Sequence, residues 1–190
     1  MAKRESTFKN MVLTLFVVAA ISATTLGLVN EVTKEPIAEA KLRAKLEAVE
    51  KVVPEFDNNP SEEMYVIESD LGQLECYPAR KGEELVGTAV SSITKMGFSG
   101  EIRVMVGFTP EGTIFNSSVL DHKETPGLGT KMDLPKFKDQ FMGKDPGSNT
   151  LTVTKDGGEI DAITAATISS RAFCDAVARA YKSYMEGGEK

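Results

Sequence analysis

The run "MVLTLFVVAAISATTLGLV", Met11 to Val29, contains nineteen residues and no charge. At about 1.5 Å of rise per residue, a helix of that length matches the hydrocarbon thickness of a bilayer and exceeds the apolar part of a usual signal peptide. The sequence therefore predicts a transmembrane helix over 11–29. Lys3, Arg4 and Lys9 precede it against the single Glu5, whereas Glu31, Lys34 and Glu35 follow. The positive-inside rule then keeps residues 1–10 in the cytoplasm, giving a single-pass protein of the inner (cytoplasmic) membrane with its C-terminal domain on the periplasmic, extracytoplasmic side. A cleaved signal peptide, with Ala20 and Ser22 near the cleavage point, is the competing reading, and it exports the same domain.

With 190 residues, 41% hydrophobic and 26% charged, the chain has apolar material for one compact domain and little more. The net charge is −6, and the part beyond the span is more acidic still, because three of the 22 basic residues precede it. Nucleic acid is excluded as a partner, since binding it needs a concentrated basic surface. Cys76 and Cys174 are too few and too far apart for a thiolate metal site, so no metal is expected. They read as two partly buried thiols, although export would permit a disulfide.

Beyond the span, "PIAEAKLRAKLEAVEKVV" places Leu42, Leu46, Val49 and Val53 at helical spacing, with Pro36 to open the helix and Pro54 to end it. Residues 30–60 thus read as a membrane-proximal amphipathic helix and a polar linker, "FDNNPSEE", leaving 61–190 as the main domain. Within that domain "MYVIES", "LECYPA", "ELVGTAVSSI", "EIRVMVGFT", "TIFNSSVLD" and "LTVTK" have strand character, and turns such as "SDLGQ" and "TPEGT" join some of them. "LPKFKDQFMG" reads as one helix and 168–185 as another. The fold class is α+β, a mostly antiparallel twisted sheet with flanking helices, preceded by the transmembrane helix.

Two stretches have the composition for chemistry. In "LDHKETPGLGTKM", residues 120–132, Pro126-Gly127 marks a turn and Gly129 permits close backbone approach, so a flat ligand has room against exposed amides. His122, Glu124 and Lys131 in that stretch are equally ordinary for a solvated loop. In "DAITAATISSRAFCDAV", residues 161–177, and just beyond it, Ala172, Phe173, Ala176, Val177, Ala180, Tyr181 and Tyr184 recur at helical spacing and place Thr167 at the helix start, with Ser169 and Ser170 in its first turn. Thr167 is then either a plain N-cap or the anchor of an anion that the free amides and the macrodipole stabilise.

"DAITAAT" resembles the flavinylation motif of FMN-binding domains, "HKETPGLGTKM" resembles their Glu-Thr-Pro-Gly-Leu-Gly loop, and "GFSGEIRVMVGF" is similar to the strand before that loop. With the N-terminal span the resemblance covers nearly the whole chain and is to the G subunits of Rnf electron transport complexes. It implies FMN joined by a phosphoester to Thr167, after a flavin transferase has moved the FMN part of FAD onto the hydroxyl. Asp161, Thr164, Ala165 and Ala166 match the rest of the motif, with Ala165 where glycine is more usual. By the same resemblance Glu124, Thr125, Gly127, Leu128, Gly129, Lys131 and Ser169 lie near the flavin. The resemblance also implies electron transfer between ferredoxin and NAD, coupled to Na⁺ or H⁺ movement by a complex whose other subunits hold iron–sulfur clusters and flavin. The chain would be a redox carrier in that translocase, not catalytic alone.

Three other readings stand beside it. One is the C subunit of the Na⁺-translocating NADH:quinone reductase, which shares the modified threonine. The second is a stand-alone extracytoplasmic flavoprotein, and the third a cofactor-free, membrane-tethered binding or assembly module.

Overall fold

The computed structural model describes residues 7–70 and 72–187. Lys3, Arg4 and Glu5, on which the orientation reading partly rests, and Leu71 of the "SDLGQ" turn lie outside the described residues.

The chain divides into two compact units between Arg43 and Ala44. The first helix, α1, runs from Phe8 to Val52 and continues through Pro36, so Pro36 does not open a second helix as the sequence predicts. Proline removes one backbone donor from the ladder, but the turns on either side keep theirs. In the first unit the apolar side chains of α1 are exposed, among them Leu15, Phe16, Ile21 and Leu26. A helix so long and apolar meets the length and composition needed to cross a membrane.

The second unit is built on five antiparallel strands in the order β1-β2-β3-β4-β5, a simple meander. The strands are β1 (Tyr65–Ser69), β2 (Gly72–Lys81), β3 (Glu84–Gly97), β4 (Gly100–Phe108) and β5 (Ile114–His122). Strand alternation sends neighbouring residues to opposite faces. Cys76, Val90, Val104 and Val106 face one core, and Tyr77, Ala89 and Met105 face the other. The first core is closed by α3 (Thr167–Gly187), through Phe173, Ala176, Val177 and Ala180, and by Phe137 and Phe141. The second is closed by Ala48, Val49, Val52 and Val53. The last turns of α1 are thereby part of the sheet domain, and Gly107 lets the Val52 backbone come so close that a Cβ there would overlap the Val52 carbonyl.

Two further elements differ from the sequence expectation. "LTVTK" adds no sixth strand: Val153 makes one parallel bridge to Ile160, and Thr154–Asp156 turns as a short 3-10 helix. "LPKFKDQFMG" is broken into α2 (Pro135–Lys138) and a 3-10 turn at Asp139–Phe141. Phe137 and Phe141 pack against each other and against Phe173, and burying these rings in the core takes precedence over helix length.

Candidate functional site

The two stretches singled out in the sequence, 120–132 and 161–177, meet beside the turn between β3 and β4. They enclose a cleft of about 300 Å³ lined by Phe98, Glu124, Thr125, Leu128, Gly129 and residues 165–169. Its walls are largely apolar. Phe98 is 68% exposed, Ile168 47% and Leu128 39%, so three apolar side chains stand open to solvent at its mouth.

Thr167 is the first residue of α3, and Ala166 occupies the cap position, its carbonyl accepting from the Ser170 amide at 3.0 Å. The plain N-cap reading of Thr167 therefore fails on geometry. Ser170 ties the entering chain instead, its hydroxyl accepting from the Ile163 amide at 2.9 Å. Helix geometry leaves the amides of Thr167, Ile168 and Ser169 without acceptors inside the helix. The half-buried Thr167 hydroxyl has Lys155 Nζ at 3.5 Å.

Ala165 holds the chain in the left-handed region, φ 62°, the one non-glycine among the described residues to do so. That conformation turns the motif into the helix and costs a non-glycine residue about 1–2 kcal/mol. Asp161 and Thr164 are exposed and do not line the cleft. Gln140 clamps the Asp161 backbone, accepting from its amide at 2.7 Å and donating to its carbonyl at 3.2 Å.

Glu124 is the one acid that the cleft buries, 5% exposed. Its carboxylate accepts from the Ser99 amide at 3.0 Å and from the Ser169 hydroxyl at 2.6 Å, joining the β3–β4 turn, the loop and α3. Gly129 makes this possible: a Cβ there would stand 2.5 Å from Glu124 Oε2 and 2.7 Å from Ser169 Oγ. Two loop amides expected to meet a ligand are already used, Gly127 donating to the Thr130 hydroxyl at 3.0 Å and Leu128 to the Thr125 carbonyl at 3.1 Å. Gly127 and Lys131 lie outside the lining of the cleft. The His122 ring is half-buried, and its Nδ1 accepts from the Glu124 amide at 3.2 Å.

Sequence reasoning missed Phe98, Ile168 and Lys155. Phe98 sits inside "GFSGEIRVMVGF", where one large apolar residue in a Gly-Phe-Ser-Gly turn was the signal to read. Lys155 precedes Asp-Gly-Gly, a turn signal that reads as the end of a strand. Beside it, a hydrogen-bonded fork from Arg171 holds the Asp156 carboxyl below the usual range.

Residues 97–182, which contain every residue that lines this cleft, match the family described as the FMN-binding domain. Over longer stretches the chain is 36% identical to the G subunit of the ion-translocating oxidoreductase complex of Stutzerimonas stutzeri, covering 88% of this chain and 77% of that one. It is 34% identical to the G subunit of the Na(+)-translocating ferredoxin:NAD(+) oxidoreductase complex of Acetobacterium woodii, covering 91% of this chain and 89% of that one. The chain belongs to the family of G subunits of ion-translocating oxidoreductase complexes. The crystal structure of Shewanella oneidensis NqrC has the same fold, with a TM-score of 0.50 and 21% identity over 67% of each chain.

Proposed function

We propose that this chain is the membrane-anchored flavoprotein carrier of an Rnf-type complex, with FMN phosphoester-linked to Thr167. The observation that carries this reading is the setting of Thr167. Its hydroxyl lies on an FMN-binding domain, at the start of a helix, within an open cleft and facing a lysine. Those features suit a flavin phosphate: unpaired amides and the helix dipole favour the anion, and Phe98, Leu128 and Ile168 offer apolar surface to a flat ring system.

In the attachment step the Thr167 oxygen bonds to the FMN phosphorus of FAD, the pyrophosphate bond breaks, and AMP leaves. The flavin transferase takes the hydroxyl proton. Asp161 and Thr164, exposed beside the cleft, are then surface for the transferase to recognise. The bound flavin supplies the redox chemistry, and the polypeptide supplies position and electrostatics. Glu124, Ser169 and Gly129 shape the loop wall, and the Thr125 hydroxyl offers a polar contact from the lining; Lys131, outside that lining, supplies positive charge near the flavin. The α1 span anchors the chain in the cytoplasmic membrane with the flavin domain on the extracytoplasmic side. There a covalent bond keeps a cofactor that could not readily be replaced.

Electrons pass through this carrier between reduced ferredoxin and NAD, and the complex as a whole moves Na⁺ or H⁺. The ferredoxin:NAD(+) activity for which the Acetobacterium woodii complex is named supports this assignment. The test is made in membranes carrying Thr167→Ala. Pull-down through this chain still recovers the other subunits, while ferredoxin-to-NAD transfer falls to background. Transfer at the wild-type rate would remove the carrier reading.

A further inference from the structure

The 3-10 turn at Thr154–Asp156 is fixed from two sides. The Thr154 amide donates to the Ile160 carbonyl at 2.8 Å, beside the bridge between Val153 and Ile160. Asp156 accepts a two-pronged contact from Arg171, Nε to Oδ2 and Nη2 to Oδ1, both at 2.7 Å. Arg171 lies four residues beyond Thr167 on α3, so the turn is stapled to the same helix end that carries Thr167. This fork occupies the Asp156 carboxylate, on which Lys155 acts through its charge without a salt-bridge contact among the described residues. Its ammonium instead stands 3.5 Å from Thr167 Oγ1.

A neutral hydroxyl is a weak partner for a cation held in this way. A phosphoryl group on that hydroxyl carries a full negative charge, and charge-assisted hydrogen bonds to it are about twice as strong as neutral ones. Resting on the covalent-flavin reading above, we propose that Lys155 is the positioning residue that holds the negative charge of the phosphoryl group at Thr167, both during attachment and afterwards. Lys155 neither gives nor takes a proton in that step. The Asp156–Arg171 pair aims it.

The test uses the full chain with purified flavin transferase and FAD, comparing wild type, Lys155→Met and Lys155→Arg. Initial flavinylation rates are read from intact mass, and the environment of the attached phosphate from its phosphorus NMR resonance. Lys155→Met is expected to slow attachment about tenfold, as loss of one charge-assisted hydrogen bond implies. Its resonance shifts, while Lys155→Arg recovers most of the rate. A Lys155→Met protein that is modified at the wild-type rate with an unchanged resonance overturns the proposal. So does an arginine variant as impaired as the methionine one, because charge would then not be the property used. Wild-type protein that accepts no flavin overturns the covalent reading itself, and this inference with it.

Discussion

The Ser169 hydroxyl donates a 2.6 Å hydrogen bond to Oε2 of Glu124, a buried contact that ties the first turn of α3 to the Glu-Thr-Pro-Gly-Leu-Gly loop. Both sides of that contact line the cleft. Removing the hydroxyl leaves a buried carboxylate with the Ser99 amide as its remaining partner within the site. Ser169→Ala is expected to lower stability by about 1.5–3 kcal/mol, the range for a hydrogen bond to a charged group. Urea unfolding measures it, and a loss under about 0.5 kcal/mol would show the contact to be incidental.

Gly129 is the steric condition of the same contact. In Gly129→Ala the new methyl meets the Glu124 carboxylate and the Ser169 hydroxyl at once, well inside van der Waals distance. Displacing them is expected to cost about 1–3 kcal/mol, as overpacking of a well-filled site does. Unfolding of Gly129→Ala alone and combined with Ser169→Ala separates the two effects. In the double variant one of the obstructing groups is gone, so the costs must be less than additive.

Ala165 carries the opposite expectation. Its φ of 62° strains any side chain, and glycine relieves that strain while adding freedom to the unfolded chain. The net effect expected for Ala165→Gly is stabilisation by roughly 0.5–1 kcal/mol. Destabilisation on thermal or urea unfolding would mean that Ala165 is relaxed where it stands.

Alkaline pH should loosen the fold through its two thiols. Cys76 and Cys174 are both free and buried, and burial pushes each thiol from 9.0 up to about 12. A group whose folded pKa is raised gives its full stabilisation below the unfolded pKa and loses it as pH rises towards the folded value. The window is therefore about pH 9 to 12, and each thiol contributes a slope of up to about 1.4 kcal/mol per pH unit there. Tyr77, also pushed up by burial, adds to the same trend at higher pH. Urea unfolding between about pH 8 and 10.5 checks this, and Cys174→Ala should flatten the slope. A stability that does not change with pH across that range would contradict the assignment.

Much of this arrangement was legible in the sequence, because it rests on short-range signals. The five strands of the sheet follow from short runs of strand character, several of them alternating and some joined by turn signals, and the start of α3 follows from the spacing of Phe173, Val177 and Tyr181. The unread part depends on tertiary contacts. Nothing local says that "LPKFKDQFMG" breaks its helix so that Phe137 and Phe141 can reach Phe173. Nor does "LTVTK" reveal that Lys155 turns back onto Thr167, because Arg171, the residue that fixes the turn, lies fifteen positions from Asp156. The burial of Glu124 was hidden for the same reason. Its partners are Ser99 and Ser169, on two other elements, and a loop glutamate reads as solvated until both are in place.

The most direct measurement is mass mapping of the peptide that contains Thr167, from denatured full-length protein made with a flavin transferase and exported. The predicted result is an added mass of one FMN less one water on that peptide, retained through denaturation and absent in Thr167→Ala. An unmodified Thr167 peptide, with any flavin released when the protein is unfolded, would contradict covalent attachment at Thr167.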